Sequence, residues 1–216
     1  MPIPEFIVEL RKYIGHMPLW LVGCTAVVVR PHGADAATQQ DAATACTQVR
    51  TAGDPSAPRV GLGTVTAEVW QAGDGAEDVL LVRRADDGLW APVTGVVDPG
   101  EHPAIAAVRE TREEARVDAM IERLVQVHVT DEVTHANGDV AQYTGLVFRC
   151  RAVGGEVGVG DDESIDARWW RADALPPMRQ VHRDAIVAAL GSDPLAELRV
   201  GDEVIPVVPP QRNTSE

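Results

Sequence analysis

The sequence predicts a mixed α/β domain, in which a sheet of mixed strand direction carries helices on both faces. Three observations lead there. Short β-branched runs bounded by Gly, Pro or Asn read as strands, and several segments repeat apolar residues at helical spacing. The two kinds follow one another without a strict βαβ rhythm. A chain of 216 residues, 45% apolar, supplies one ordinary core and at most one appendage.

Phe6, Leu10 and Ile14 recur four residues apart, with Arg11 and Lys12 near the carboxyl end and Gly15 following, which predicts a short amphipathic helix. GCTAVVVR, Gly23 to Arg30, reads as a buried strand that Pro31 ends. From Gly33 to Pro58 large apolar side chains nearly vanish, so this stretch is expected to be a surface insertion, with a marginal helix across its alanines as the alternative. Val65 to Trp70 and Val79 to Arg84 read as strands, and ADDGLWAPVTGVVDPGE as a loop. Pro103, suited to a first helical position, opens PAIAAVRETREEAR. Val125, Val127 and Val129 alternate with polar residues as a half-buried strand does. Asn137-Gly138 is a hairpin signal, with VAQYTGLVFRCR as the returning strand. ESIDARWW is a further strand, in which Trp169 and Trp170 must face opposite ways, and LPPMRQVHRDAIVAAL is a closing helix stopped at Gly191. The expected organisation is one domain over 1–191, with the insertion at about 33–58, and a Pro-rich tail over 192–216.

Thirty-three acidic residues against nineteen Lys and Arg give a formal charge of −14. Such a chain is not expected to bind a nucleic acid polymer or an anionic membrane, and an anionic substrate would have to meet local positive charge. Met1 to Ile14 has no basic leader, and the apolar run Leu19 to Val29 is too short to span a bilayer. Cys24, Cys46 and Cys150 form neither a CxxC nor a metal spacing, and their odd number argues against a disulfide framework. A soluble cytoplasmic protein with reduced thiols is expected, and a homodimer is compatible with this reading. The six histidines show no HExxH or paired spacing, which speaks against zinc.

At 100° per residue, the helix from Pro103 gathers Ala104, Val108, Thr111 and Ala115 in one arc and Glu110, Glu113 and Glu114 opposite them. Carboxylates three and four residues apart repel unless a cation lies between them. Arg109 can reach Glu113 one turn on, and Glu101 sits at the helix amino end, where the macrodipole favours an anion. A solvated acidic face is the bland alternative for such a run.

The surrounding residues decide otherwise. GVVDPGEHPAIAAVRETREEARV resembles the Nudix box, G-x5-E-x7-R-E-U-x-E-E-x-G-U, where U is aliphatic, with Gly95, Glu101, Arg109, Glu110, Glu113 and Glu114 in frame. Six fixed residues coincide by chance in roughly one in 10⁷ to 10⁸ windows. Thr111 replaces an aliphatic residue, and Arg116 stands where the second Gly is expected, at a turn that normally uses a left-handed conformation. The resemblance extends from GCTAVVVR through VLLVRR and GLWAPVTG to ESIDARWW and DALPP.

The resemblance implies the Nudix fold, an αβα sandwich around a mixed sheet, and Mg²⁺-dependent hydrolysis, with Mn²⁺ as an alternative, of a nucleoside diphosphate-X or nucleoside triphosphate. It makes Glu110, Glu113 and Glu114 metal ligands, with a backbone carbonyl near Gly95, and makes Arg109 and Glu101 the pair that orients them. The physical reading agrees: a diphosphate must be neutralised before water attacks phosphorus, and carboxylate-held Mg²⁺ does this. The base is Glu163, from the acidic GDDES run, or Glu110 in the box. Arg83 and Arg84 are candidate phosphate contacts, and Tyr143 and Trp20 candidate aromatic contacts to a base. Trp90 reads as core packing. A Pro or Tyr some fifteen residues beyond the box marks some ADP-ribose and dinucleoside-polyphosphate members, and QVHVTDEVTHAN has neither. The alternative function is a catalytically inactive Nudix-like nucleotide-binding or regulatory module, usually marked by a degraded box. The family's isomerases would need Cys and Glu positions this chain does not match.

Overall fold

A computed structural model describes residues 4–33, 73–135, 137–200 and 203–205. The expected insertion beyond Gly33 and the expected strand Val65 to Trp70 lie outside the described residues. The elements are α1 (Glu5–Ile14), β1 (Leu19–Pro31), β2 (Glu77–Arg84), β3 (Trp90–Ala91), β4 (Val93–Val96) and α2 (Pro103–Ala115). They continue with β5 (Val117–Val129), β6 (Val133–Thr134), β7 (Val140–Gly155), β8 (Ser164–Arg171), α3 (Gln180–Leu190), β9 (Glu197–Val200) and β10 (Glu203–Ile205).

One sheet runs β10-β9-β5-β7-β1-β2-β3, with β4 on β1, β6 on β7 and β8 on β2. The β1–β7 and β5–β9 pairings are parallel and the others antiparallel, so the sheet is mixed as expected. Side-chain alternation divides the strands between two cores. Cys24, Ala26 and Val28 of β1 and Leu80 and Val82 of β2 pack with Ala106, Ala107 and Ala115 of α2. Val27, Val29, Val79 and Leu81 turn the other way, onto Ala185, Ile186 and Ala189 of α3. Leu21 of β1 and Tyr143 of β7 meet Ile7 of α1 in a third cluster. From Cys24 to Val29 β1 is therefore buried on both faces, which is why that stretch carries no charged residue, and the architecture is the αβα sandwich. Trp169 and Trp170 divide between the same two cores, and Trp90 packs edge-to-face on Trp170 with ring centroids 5.2 Å apart.

Four details differ from the sequence expectation. The Gly/Pro-punctuated loop after β2 contains β3 and β4, pairs too short to show an alternation. The closing helix begins at Gln180 rather than near Leu175, since Pro176 and Pro177 lack backbone donors and disfavour helix before them. The described part of the expected tail contributes β9, which pairs with β5 from Gln126 to Val129. The carboxylates of α2 do not stand opposite its whole apolar arc: Glu110 and Glu114 are buried along with Ala106, Ala107, Thr111 and Ala115.

Both departures from the box pattern are accommodated. Thr111 is fully buried, and its hydroxyl donates to the Ala107 carbonyl at 2.7 Å, so the polar group is satisfied within the helix. Arg116 takes the left-handed conformation itself, at φ 60°, and its N–H donates to the Arg112 carbonyl at 3.1 Å. It is the one non-glycine residue with positive φ among the described residues. Arg116→Gly should therefore stabilise the fold by roughly 1 kcal/mol, the left-handed cost of a side chain less the extra freedom of Gly in the unfolded chain. Urea unfolding measures this, and an unchanged or lower midpoint would contradict it.

Candidate active site

The helix α2 is fixed at its amino end by local chemistry. Pro103 occupies the first turn, where no N–H partner is available, and the His102 imidazole accepts from the Ala104 N–H at 3.2 Å. About two turns past this entry, Arg109 is 5% exposed and carries the densest set of ion pairs around the box. Its Nε and Nη2 grip both oxygens of Glu101 at 2.9 Å each. Its Nη1 donates to Glu110 Oε1 at 3.0 Å and to Glu113 Oε2 at 2.9 Å. The fork of a guanidinium matches a carboxylate bidentately and leaves further donors for the two neighbours. Glu101 also accepts from the Asp98 N–H at 3.3 Å, so the loop before α2 is tied to the same cation.

Glu110 lies directly over β4. A β-carbon built on Gly95 would stand 2.2 Å from Glu110 Oε1 and 2.5 Å from its Cγ, so only glycine admits the carboxylate there. Burial pushes the Glu110 carboxyl up to about 8, opposed by Arg109 and reinforced by the charges of Glu114 and Glu113. Glu113 is also raised, by burial first, with Arg109 opposing and Asp161 adding repulsion. Glu114 is buried, and its Oε2 accepts from the Ser164 hydroxyl at 3.1 Å.

The loop between β7 and β8 closes the other end. Gly158 and Gly160 donate their N–H groups to the Ala115 and Glu114 carbonyls at 3.1 and 2.9 Å, satisfying acceptors that a helix end leaves open. A β-carbon on Gly160 would fall 1.7 Å from the Glu113 carbonyl oxygen, so this contact requires glycine as well. The same loop carries Asp161, whose carboxylate caps the Glu163 N–H at 2.9 Å, while the Glu163 carbonyl accepts from the Ala85 N–H at 2.9 Å. Glu163 is thus held next in sequence to the Ser164 that touches Glu114, and the end of β2 is joined to the loop.

The structure brings Arg109, Glu110, Glu113 and Glu114 together, with Gly95 beneath them and Glu163 at the adjoining loop. Their donor set of carboxylate oxygens suits a hard divalent cation. Among the described residues, however, no three carboxylate, imidazole or thiol side chains converge on one point. Glu110 and Glu113 turn to Arg109 and Glu114 to Ser164, so the expected ligands are neighbours rather than a formed cage.

Two expected substrate contacts are corrected. Tyr143 is 1% exposed, beneath α1, with its hydroxyl 3.1 Å from His135 Nε2 and its phenol pushed up to about 12 by burial. Strand alternation turns it toward α1, away from the α2 layer. Arg84 is 3% exposed and pairs through Nε with Asp86 at 3.0 Å. A register irregularity between Arg83 and Arg84 redirects it, and its charge acts on His182 of α3. Arg83 remains exposed, with Nε on the Gly88 carbonyl at 2.9 Å. Sequence reasoning missed Ser164 and Gly160. The only available signal was their place at the two ends of the acidic GDDES run, which does not reveal a contact with a helix fifty residues earlier.

Residues 64–190 match the model of the NUDIX domain. The chain belongs to the Nudix family. The NAD-capped RNA hydrolase NudC of Pseudomonas aeruginosa (strain LESB58) is 33% identical over 104 residues, covering 47% of this chain and 34% of that protein. The chain thus spans about a third of the length of such relatives. A MutT-like protein of Streptomyces ambofaciens is 32% identical over 130 residues, covering 59% of this chain and 79% of that protein. An ADP-ribose pyrophosphatase structure from Streptococcus suis 89-1591 aligns over 83% of this Nudix chain and 98% of its own, at 19% identity and a TM-score of 0.48. No described helix is long and apolar enough to cross a membrane.

Gly95→Ala should displace Glu110 and destabilise the Nudix domain by about 1–3 kcal/mol, the usual cost of forcing a methyl into a filled contact. Denaturant titration checks this, and a midpoint equal to that of the parent would show that Glu110 is not confined over β4.

Proposed function

We propose that the protein is a Mg²⁺-dependent pyrophosphohydrolase, with Mn²⁺ as a substitute, that cleaves the diphosphate linkage of a nucleoside diphosphate-X or nucleoside triphosphate. The observation that carries this reading is the charge set around α2: Glu101, Glu110 and Glu113 share one buried guanidinium, and Glu114 is buried on the same helix. Three carboxyl groups on one cation leave room for further positive charge, which a stability role alone would not need. NudC is named for an NAD-capped substrate, and NAD joins two nucleosides through a diphosphate, so that relative supports the linkage proposed here.

Glu110, Glu113 and Glu114, with the Gly95 carbonyl, would hold the cation. When bound, a divalent cation neutralises the diphosphate and orients water and leaving group. Arg109, fixed by Glu101, positions Glu110 and Glu113, and Ser164 holds Glu114. Glu163 is the proposed base, its carboxylate taking the proton of the attacking water, with Glu110 as the alternative within the box. Arg83 is the proposed phosphate contact, since its exposed guanidinium is on the strand whose end is tied to the Glu163 loop.

Exhaustive chelation should abolish hydrolysis across a panel of nucleoside diphosphate compounds, and added Mg²⁺ should restore it; turnover that persists in EDTA would overturn the reading. Glu114→Gln should lower kcat by at least about 100-fold with the fold intact, as loss of a positioned catalytic group does. Circular dichroism and steady-state kinetics decide it, and activity within a few-fold of the parent would place the site elsewhere.

The base is tested by Glu163→Gln beside Glu110→Gln, with metal affinity measured for both. If Glu163 accepts the proton, its variant loses kcat strongly, keeps KM and metal affinity, and loses the acidic limb of the pH profile, because only the ionised carboxylate takes a proton. A small, pH-independent effect at Glu163 would move the base to Glu110.

A further inference from the structure

Beyond the carboxylates, the layer that holds α2 also carries a partly exposed stretch of sheet. In β1, Leu19 and Leu21 turn toward α1, so Trp20 and Val22 project onto the opposite face, which is that of Cys24. Cys24 pairs with Gly95, the residue beneath the Glu110 carboxylate. Trp20 is 61% exposed and Val22 38%, whereas Cys24 is buried under α2. The parallel partner β7 places Gln142, Thr144 and Leu146 in register with Trp20, Val22 and Cys24, all three partly exposed on the same face. Val129 and Val127 of β5 extend the rows opposite Thr144 and Leu146.

We infer that this face binds the base of the nucleoside substrate, with the base stacked on Trp20. An indole this exposed costs the free protein apolar hydration, and the structure does not leave it loose: its Nε1 donates to Thr144 Oγ1 at 3.0 Å. That bond orients the ring before any ligand arrives, which lowers the ordering cost of binding. An aromatic surface held this way suits a flat, uncharged group, and base–aromatic stacking is indifferent to the acidic charge of the chain. Gln142, level with Trp20 on the neighbouring strand, offers both a donor and an acceptor to the edge of a base. Four residues of strand, roughly 13 Å, separate Trp20 from Cys24, so a diphosphate beside Glu110 and a base over Trp20 lie along one extended nucleotide.

The inference rests on the proposed diphosphate chemistry, and the test separates the two. ADP-ribose is compared with 5-phosphoribosyl 1-diphosphate, a diphosphate without a base. In Trp20→Ala the ratio of kcat/KM for ADP-ribose to that for the base-free compound should fall by about 5- to 150-fold, the range of one lost stack, through KM rather than kcat. Trp20→Phe, which keeps a ring, should recover the ratio to within about threefold. An unchanged ratio in Trp20→Ala, or equal losses on both substrates, would overturn the inference while leaving the catalytic reading in place. Titration of the protein with ADP adds a readout independent of turnover: saturable quenching present in the parent and absent from Trp20→Phe supports the stack. If the parent hydrolyses neither compound, this titration alone decides the stack, with unquenched parent fluorescence rejecting Trp20, while the catalytic reading is decided by the chelation panel.

Discussion

The geometry of the site depends on one buried guanidinium. Arg109 binds Glu101 from the preceding loop, Glu110 from the inner side of α2 and Glu113 from the next turn, so a single side chain sets the relation between loop, helix and carboxylates. Removing one member of such a buried set typically costs about 3–5 kcal/mol, because the remaining charges are left without compensation. The arrangement is costly for stability alone, since apolar residues could fill the same volume at no loss. Its presence on the inner side of a helix, where sequence periodicity would place aliphatic residues, fits a site better than a scaffold.

Two glycines allow the carboxylates to be held against backbone rather than against side chains. Gly95 lets Glu110 lie on β4, and Gly160 lets the β7–β8 loop press on the end of α2. Contacts this close transmit position with little slack, because strands and helix termini move less than long side chains do. The second of them also fixes the loop that carries Asp161, Glu163 and Ser164, so the two walls of the site are referred to the same helix.

The sheet has unequal faces in this region. Toward α1 it is closed by Ile7, Leu21 and Tyr143. On the α2 side, the rows that continue past the helix stay partly open, ending at Trp20. An open, partly apolar sheet surface continuous with a charged site is a common setting for a ligand with one anionic and one flat end.

The sequence by itself determined the box and its helix, because a spacing of three and four residues is a local property that a 3.6-residue turn converts directly into one face. It also determined Pro103 as a helix start, the Arg109–Glu113 contact and the division of Trp169 and Trp170 between faces, each of which follows from neighbours in the chain. What only the tertiary structure decided was which way longer-range side chains point. Tyr143 lies under α1 because the parallel register pairs it with Leu21, and Arg84 turns to Asp86 because β2 is irregular against β8 at that residue. Strand Glu197–Val200 joined the sheet because β5 offered an unpaired edge, and Ser164 met Glu114 because Gly160 let the loop close on α2. Register, edge availability and close approach depend on residues far apart in the chain, and no local pattern encodes them.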